Sequence, residues 1–221
     1  MIRKGVFCVL VGLLFHGMHA QESVLQFHIQ FGNAPLELGK KYISLNDTLQ
    51  IGTLKFYVSN VEIQYADASV HKPKNDYHLI DIEDLNTLKI PIPESKKPIK
   101  KITFNIGVDS LASVSGALGG DLDPAKGMYW AWQSGYINMK IEGKSKSCQT
   151  RKNEFQFHIG GYQKPNYAMR KIELNTADSN VVVDIEELFS NIRLANSNSI
   201  MIPGKQAMAI ADYSAKMFKA Q

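Results

Sequence analysis

The chain has 221 residues, 44% of them hydrophobic, and 25 Lys and Arg stand against 21 Asp and Glu for a formal net charge of +4. That is enough chain for one sizeable core. The lysine clusters at 96–101 and 144–152 lack interleaved aromatics and read as solvated loops, so no nucleic-acid partner is expected, and there is neither a P-loop nor a dinucleotide fingerprint.

The N-terminus reads as a secretory signal. Arg3 and Lys4 form a basic region, Gly5 to Phe15 an apolar one, and His19-Ala20-Gln21 a cleavage point, although Met18 stands where a small residue is preferred. The expectation is a signal peptide over 1–20 and one domain over 21–221, periplasmic or secreted. The apolar run is too short to span a membrane. Cleavage removes two basic residues and no acidic one, which leaves the mature chain close to neutral. It also removes Cys8, so Cys148 remains alone without an internal disulfide, an incidental exposed thiol beside Lys146 and Arg151.

Beyond the signal, Leu25 to Phe31 alternates apolar and polar residues as a half-buried strand does. Similar runs follow at Lys55 to Gln64, Tyr77 to Ile82, Lys101 to Val108, Tyr136 to Glu142, Phe155 to Ile159, Arg170 to Leu174 and Val181 to Ile185. Turn-forming clusters such as Gly32-Asn33 and Gly143 to Ser147 separate them. The predicted fold is all-β: an antiparallel sandwich of about eight strands. Ser110 to Lys126 is predicted to be a surface loop, Asp184 to Phe189 one helical turn, and the segment from about Gly204 to Lys219 a C-terminal helix packed on the sandwich.

Both tryptophans fall in Gly127-Met128-Tyr129-Trp130-Ala131-Trp132-Gln133-Ser134-Gly135-Tyr136. If Met128 to Gln133 runs extended, Met128, Trp130 and Trp132 share one face. Four histidines remain after cleavage, and His28 and His158 sit on the polar faces of their strands, His158 followed by Gly160 and Gly161 that would let a ligand or backbone approach. His78, at a strand start, is a further candidate. Imidazole, thioether and an aromatic nitrogen would suit a soft or borderline ion, Cu(I) above all. An unmodified indole N–H is a donor only and cannot coordinate. No nucleophile elbow or catalytic triad is readable, so no enzyme is expected.

The segments Phe56-Tyr57-Val58-Ser59-Asn60, Tyr77-His78-Leu79-Ile80-Asp81, Asn105 to Ser110, Asp121 to Gly143 and Phe157-His158-Ile159-Gly160-Gly161-Tyr162 resemble the MbnP-like family of exported copper-binding proteins. The most specific stretch is Gly127 to Tyr136, followed by Lys140-Ile141-Glu142-Gly143. The resemblance implies a β-sandwich that holds copper with histidine and a tryptophan oxidised to kynurenine by a dihaem peroxidase-type partner. It makes Trp130 or Trp132 the oxidisable residue and His158 the best-placed ligand. His28, by strand geometry, and Met128 are the further candidates. The competing expectation is an exported interaction module whose exposed aromatics bind a glycan or a protein partner.

Overall fold

The computed structural model describes residues 23–45, 47–74, 76–133 and 135–221, and the expected signal peptide lies outside the described residues. In chain order the strands begin with β1 (Ser23–Phe31), β2 (Ala34–Pro35), β3 (Lys41–Ser44), β4 (Asp47–Tyr65), β5 (Val70–His71), β6 (Tyr77–Asp81), β7 (Lys89–Ile92) and β8 (Ile99–Ile106). A short helix α1 (Ser110–Val114) precedes β9 (Tyr129–Trp130), β10 (Gly135–Ser145), β11 (Glu154–Gly160), β12 (Arg170–Asn175) and β13 (Asn180–Asp184). The chain ends with α2 (Ile185–Phe189), β14 (Ser199–Ile200), α3 (Lys205–Ser214) and β15 (Phe218–Ala220).

Two sheets face each other. The smaller has five strands in the order β15-β13-β1-β2, with β7 also on β1. The larger has ten, in the order β12-β8-β4-β10-β11-β14, with β3, β5 and β6 also on β4 and β9 on β10. Alternation fixes which side of each strand is inside: Leu25, Phe27 and Ile29 of β1, Leu54 and Phe56 of β4, and Phe155, Phe157 and Ile159 of β11 share one buried cluster. Phe27 bridges the layers, its ring 6.3 Å from Phe56 and 5.8 Å from Phe104 in edge-on contacts. Aromatic pairs in such geometry add to the area they bury.

Each of the eight alternating segments falls on a strand, with those at Tyr77 to Ile82, Lys101 to Val108 and Val181 to Ile185 running one or two residues past the strand's end, but the sheets are mixed, not strictly antiparallel. β1 runs parallel to β13, and β11 parallel to β14. In both cases the connection is far longer than a hairpin, which frees the pair from antiparallel geometry. The C-terminal helix is shorter than expected. It stops at Ser214 and continues through a 3-10 turn, Ala215–Met217, into β15, because Phe218 turns inward to pack 5.7 Å from Phe56 and 5.4 Å from Phe104.

The expected loop over 110–126 is ordered into α1 and two 3-10 turns, Gly120–Leu122 and Pro124–Lys126. Asp109 caps the first by accepting from Ala112 N–H at 2.9 Å, and Asp123 caps the last by accepting from Ala125 N–H at 2.8 Å. Cys148, expected to be exposed, is buried at 1% exposure under the 145–153 turn. Among the described residues no helix is long and apolar enough to cross a membrane.

Candidate functional site

The outer face of the ten-stranded sheet is not uniformly polar. A second buried cluster of Tyr57, Leu79, Val108, Ala112, Leu122, Met128, Trp130, Tyr136 and Ile137 lies apart from the sandwich core. Tyr57 follows the core residue Phe56, and Leu79 precedes the core residue Ile80, so both point outward. The segment from α1 to β9 folds over them as a lid. Its anchor is Tyr136, whose hydroxyl accepts from Leu118 N–H at 2.9 Å and lies 3.0 Å from the Leu122 carbonyl. Tyr57 donates to the Asp121 carbonyl at 3.0 Å, and the Asp121 carboxylate accepts from Leu79 N–H at 3.0 Å.

The aromatic segment is therefore a hairpin and not a six-residue strand. Only Tyr129 and Trp130 are extended, paired with Tyr136 and Gly135 of β10, and 131–133 are in the turn. That register divides the two tryptophans. Trp130 is 6% exposed and Trp132 is 64% exposed, with ring centroids 5.8 Å apart at 47°. Met128 is fully buried beside Tyr57 and Leu79 in the outer cluster, where it serves as packing.

Trp130 lies on β11. A Cβ built on Gly160 would sit 2.7 Å from Trp130 Cζ3 and 2.7 Å from the Tyr136 carbonyl oxygen, so only the absence of a side chain lets the indole rest there. His158 is two residues earlier on the same strand and thus on the same face, about 7 Å along it. Lys140 stands directly across from His158, and Lys55 and Asp81 continue that row across β4 and β6. Lys55 Nζ bonds Asp81 at 2.7 Å, while Lys140 Nζ bonds the Gly127 carbonyl at 2.5 Å and so ties the start of the aromatic segment to this face.

His158 is 7% exposed, and its Nε2 lies 2.6 Å from Glu142 Oε1. Burial pushes its pKa below the usual histidine value, a shift that Glu142 opposes and Lys140 reinforces. The ring is then neutral near pH 7. A carboxylate can only accept, so the single ring proton sits on Nε2, and Nδ1 carries the lone pair. A carboxylate holding one nitrogen of an imidazole while the other is free to coordinate is the arrangement common around metal-bound histidines.

The other expected ligands do not join it. His28 alternates with the core residues Phe27 and Ile29, so it points out of the five-stranded sheet, where its Nε2 bonds Asn180 Oδ1 at 2.9 Å. His28 and His158 thus occupy opposite outer surfaces of the sandwich, separated by both sheets. His78 pairs with Asp76. No group of three or more His, Cys, Asp and Glu is placed to hold a metal among the described residues. With side chains as encoded, the face offers copper one imidazole nitrogen and one carboxylate oxygen, which is short of a Cu(I) site. Residue type alone does not single out Glu142, since its pairing with His158 is fixed only by the β10–β11 register.

A family model described as MbnP matches residues 20–202. Among solved structures, MbnP from Methylosinus trichosporium is similar in fold, with a TM-score of 0.64 at 15% identity over 82% of this chain and 83% of that one. A comparison with curated proteins gives no match.

Proposed function

The chain belongs to the MbnP family, and from that membership we propose that it is an exported, non-enzymatic copper-binding protein serving acquisition, storage or delivery. Copper is its cargo. The observation that carries this reading is the outer-face arrangement in which buried His158, bonded to Glu142, shares a strand face with Gly160 beneath the Trp130 indole. Oxidation of Trp130 to kynurenine would add an aromatic amine, the nitrogen donor that the encoded residues lack. Trp130 suits that role better than Trp132 because its indole packs against β11, the strand that carries His158. Exposed Trp132, 5.8 Å from it, offers a dihaem peroxidase-type partner a point of approach.

The test is an intact-mass measurement of natively produced protein combined with Cu(I) titration. The expected outcome is a mass shift assigned to Trp130 and copper binding that His158→Ala abolishes. An unmodified mass together with binding no tighter than that of His158→Ala would sink the proposal.

A second reading, an exported module that binds a glycan or protein partner through exposed aromatics, is favoured by the 64% exposure of Trp132. Under it, Trp132→Ala abolishes partner binding while His158→Ala does not.

A further inference from the structure

At the end of the ten-stranded sheet remote from Trp130, the outer face carries a different chemistry. Lys41 of β3, Gln50 of β4, Lys144 of β10 and Glu154 of β11 form one cross-strand row. An open hollow of about 460 Å³ is lined there by Lys41, Lys144, Lys146 and Lys152 together with the polar side chains Thr48 and Asn153. Folding thus adds Lys41 to the lysine cluster at 144–152 and gathers four ammonium groups around one concavity. None of the four has a carboxylate within salt-bridge distance among the described residues, whereas Lys55, farther along the same face, is paired with Asp81. Glu154 continues the row beyond Lys144, and Asp47 keeps its charge while it accepts from the Ser147 hydroxyl, so the four ammonium groups outnumber these two carboxylates and positive charge predominates.

The concavity is pre-formed. Ser145 N–H donates to the Asn153 carbonyl at 2.8 Å, and Thr150 Oγ1 accepts from Glu154 N–H at 2.7 Å. Buried Cys148 plugs the turn from beneath, and the Ser147 bond to Asp47 ties it to the neighbouring hairpin. Like charges that converge from β3, β10 and the turn after it repel one another unless an anion lies between them. Ammonium groups act as point charges toward phosphate oxygens, and neutral hydroxyl and amide groups supply directed hydrogen bonds.

We propose that this hollow binds a small polyanion carrying more than one phosphate group. A free oligophosphate and a phosphorylated lipid headgroup share that chemistry. The test uses the metal-free mature chain, with pyrophosphate titrated calorimetrically in one arm and sedimentation with phosphatidylcholine vesicles containing a phosphatidylinositol bisphosphate in the other. The Lys144→Gln/Lys152→Gln variant should bind at least about tenfold more weakly, and the distant Lys96→Gln/Lys100→Gln control should match the unaltered chain. Binding should also weaken as salt is raised. Loss of pyrophosphate binding in the variant supports a soluble ligand, and loss of vesicle binding alone supports a headgroup. Equal affinity of variant and unaltered chain, or no binding in either arm, overturns the proposal. Circular dichroism of the variant separates lost binding from lost fold.

Discussion

Gly160 and Trp130 are in contact that no side chain at position 160 could allow, since a Cβ there would lie 2.7 Å from Trp130 Cζ3. The same Cβ would meet the Tyr136 carbonyl at 2.7 Å, and backbone cannot swing aside as a flexible side chain can. Gly160→Ala is expected to lift the indole and cost about 1–3 kcal/mol in denaturant unfolding. Tryptophan emission should shift to the red as Trp130 gains water. An unchanged spectrum and midpoint would show that the two residues are not packed as described.

The Tyr136 hydroxyl holds two points of the lid over the outer cluster, beside the ties that Asp121 makes to Tyr57 and Leu79. Tyr136→Phe keeps the ring, which packs 5.9 Å from Tyr57 and 5.0 Å from Tyr129, yet leaves Leu118 N–H and the Leu122 carbonyl without their partner. Leaving such groups unpaired costs about 1–3 kcal/mol. Hydrogen exchange should therefore speed up across 110–126 more than in β4 or β11. Uniform acceleration over the whole chain would instead place the hydroxyl's contribution in global stability.

Much of this was legible in the sequence, for physical reasons that also mark where legibility ended. Strands with one buried and one outward face alternate, and that is why β1 and β11 could be read from Leu25 to Phe31 and from Phe155 to Ile159. Two-residue ladders such as β2, β5 and β14 carry no period at all. Met128, Trp130 and Trp132 alternate as a strand would, but pairing of Trp130 with Gly135 closes a hairpin and throws Trp132 into solvent. Outward histidines are visible from alternation, whereas which sheet each one leaves is a matter of topology, and so His28 and His158 looked like partners when they are not. The close approach permitted by Gly160 was readable, but its occupant was not.

Cys148 is expected to behave as a core side chain. Burial pushes its thiol above the usual value of 9.0, and Asp47 adds to the shift. The sign follows from the proton count: above that usual value the unfolded chain has lost its thiol proton while the folded chain retains it, so stability falls as pH rises through this window. Unfolding by denaturant between roughly pH 8 and pH 10 should show that slope in the unaltered chain, and Cys148→Ser should show a shallower one, the remainder coming from tyrosines whose pKa is also raised by burial. A thiol reagent at neutral pH should react at a rate that tracks unfolding. Immediate stoichiometric reaction with folded protein would contradict the burial.

Glu142 and His28 give the sharpest separation between a site on one face and a site assembled from strand histidines. If His158 carries the copper, its orientation depends on the 2.6 Å contact with Glu142 Oε1, and Glu142→Gln should weaken Cu(I) affinity about 10–100-fold. The amide can still accept from Nε2, so the fold and the Trp130 emission should not change. His28 bonds Asn180 on the far surface, and His28→Ala should leave affinity unaltered. Competition titration with a chromogenic Cu(I) chelator reads all three proteins on one scale. A loss with His28→Ala equal to that with Glu142→Gln cannot arise from one ion, because two sheets lie between those residues, and would require a second chain to bring the two faces together.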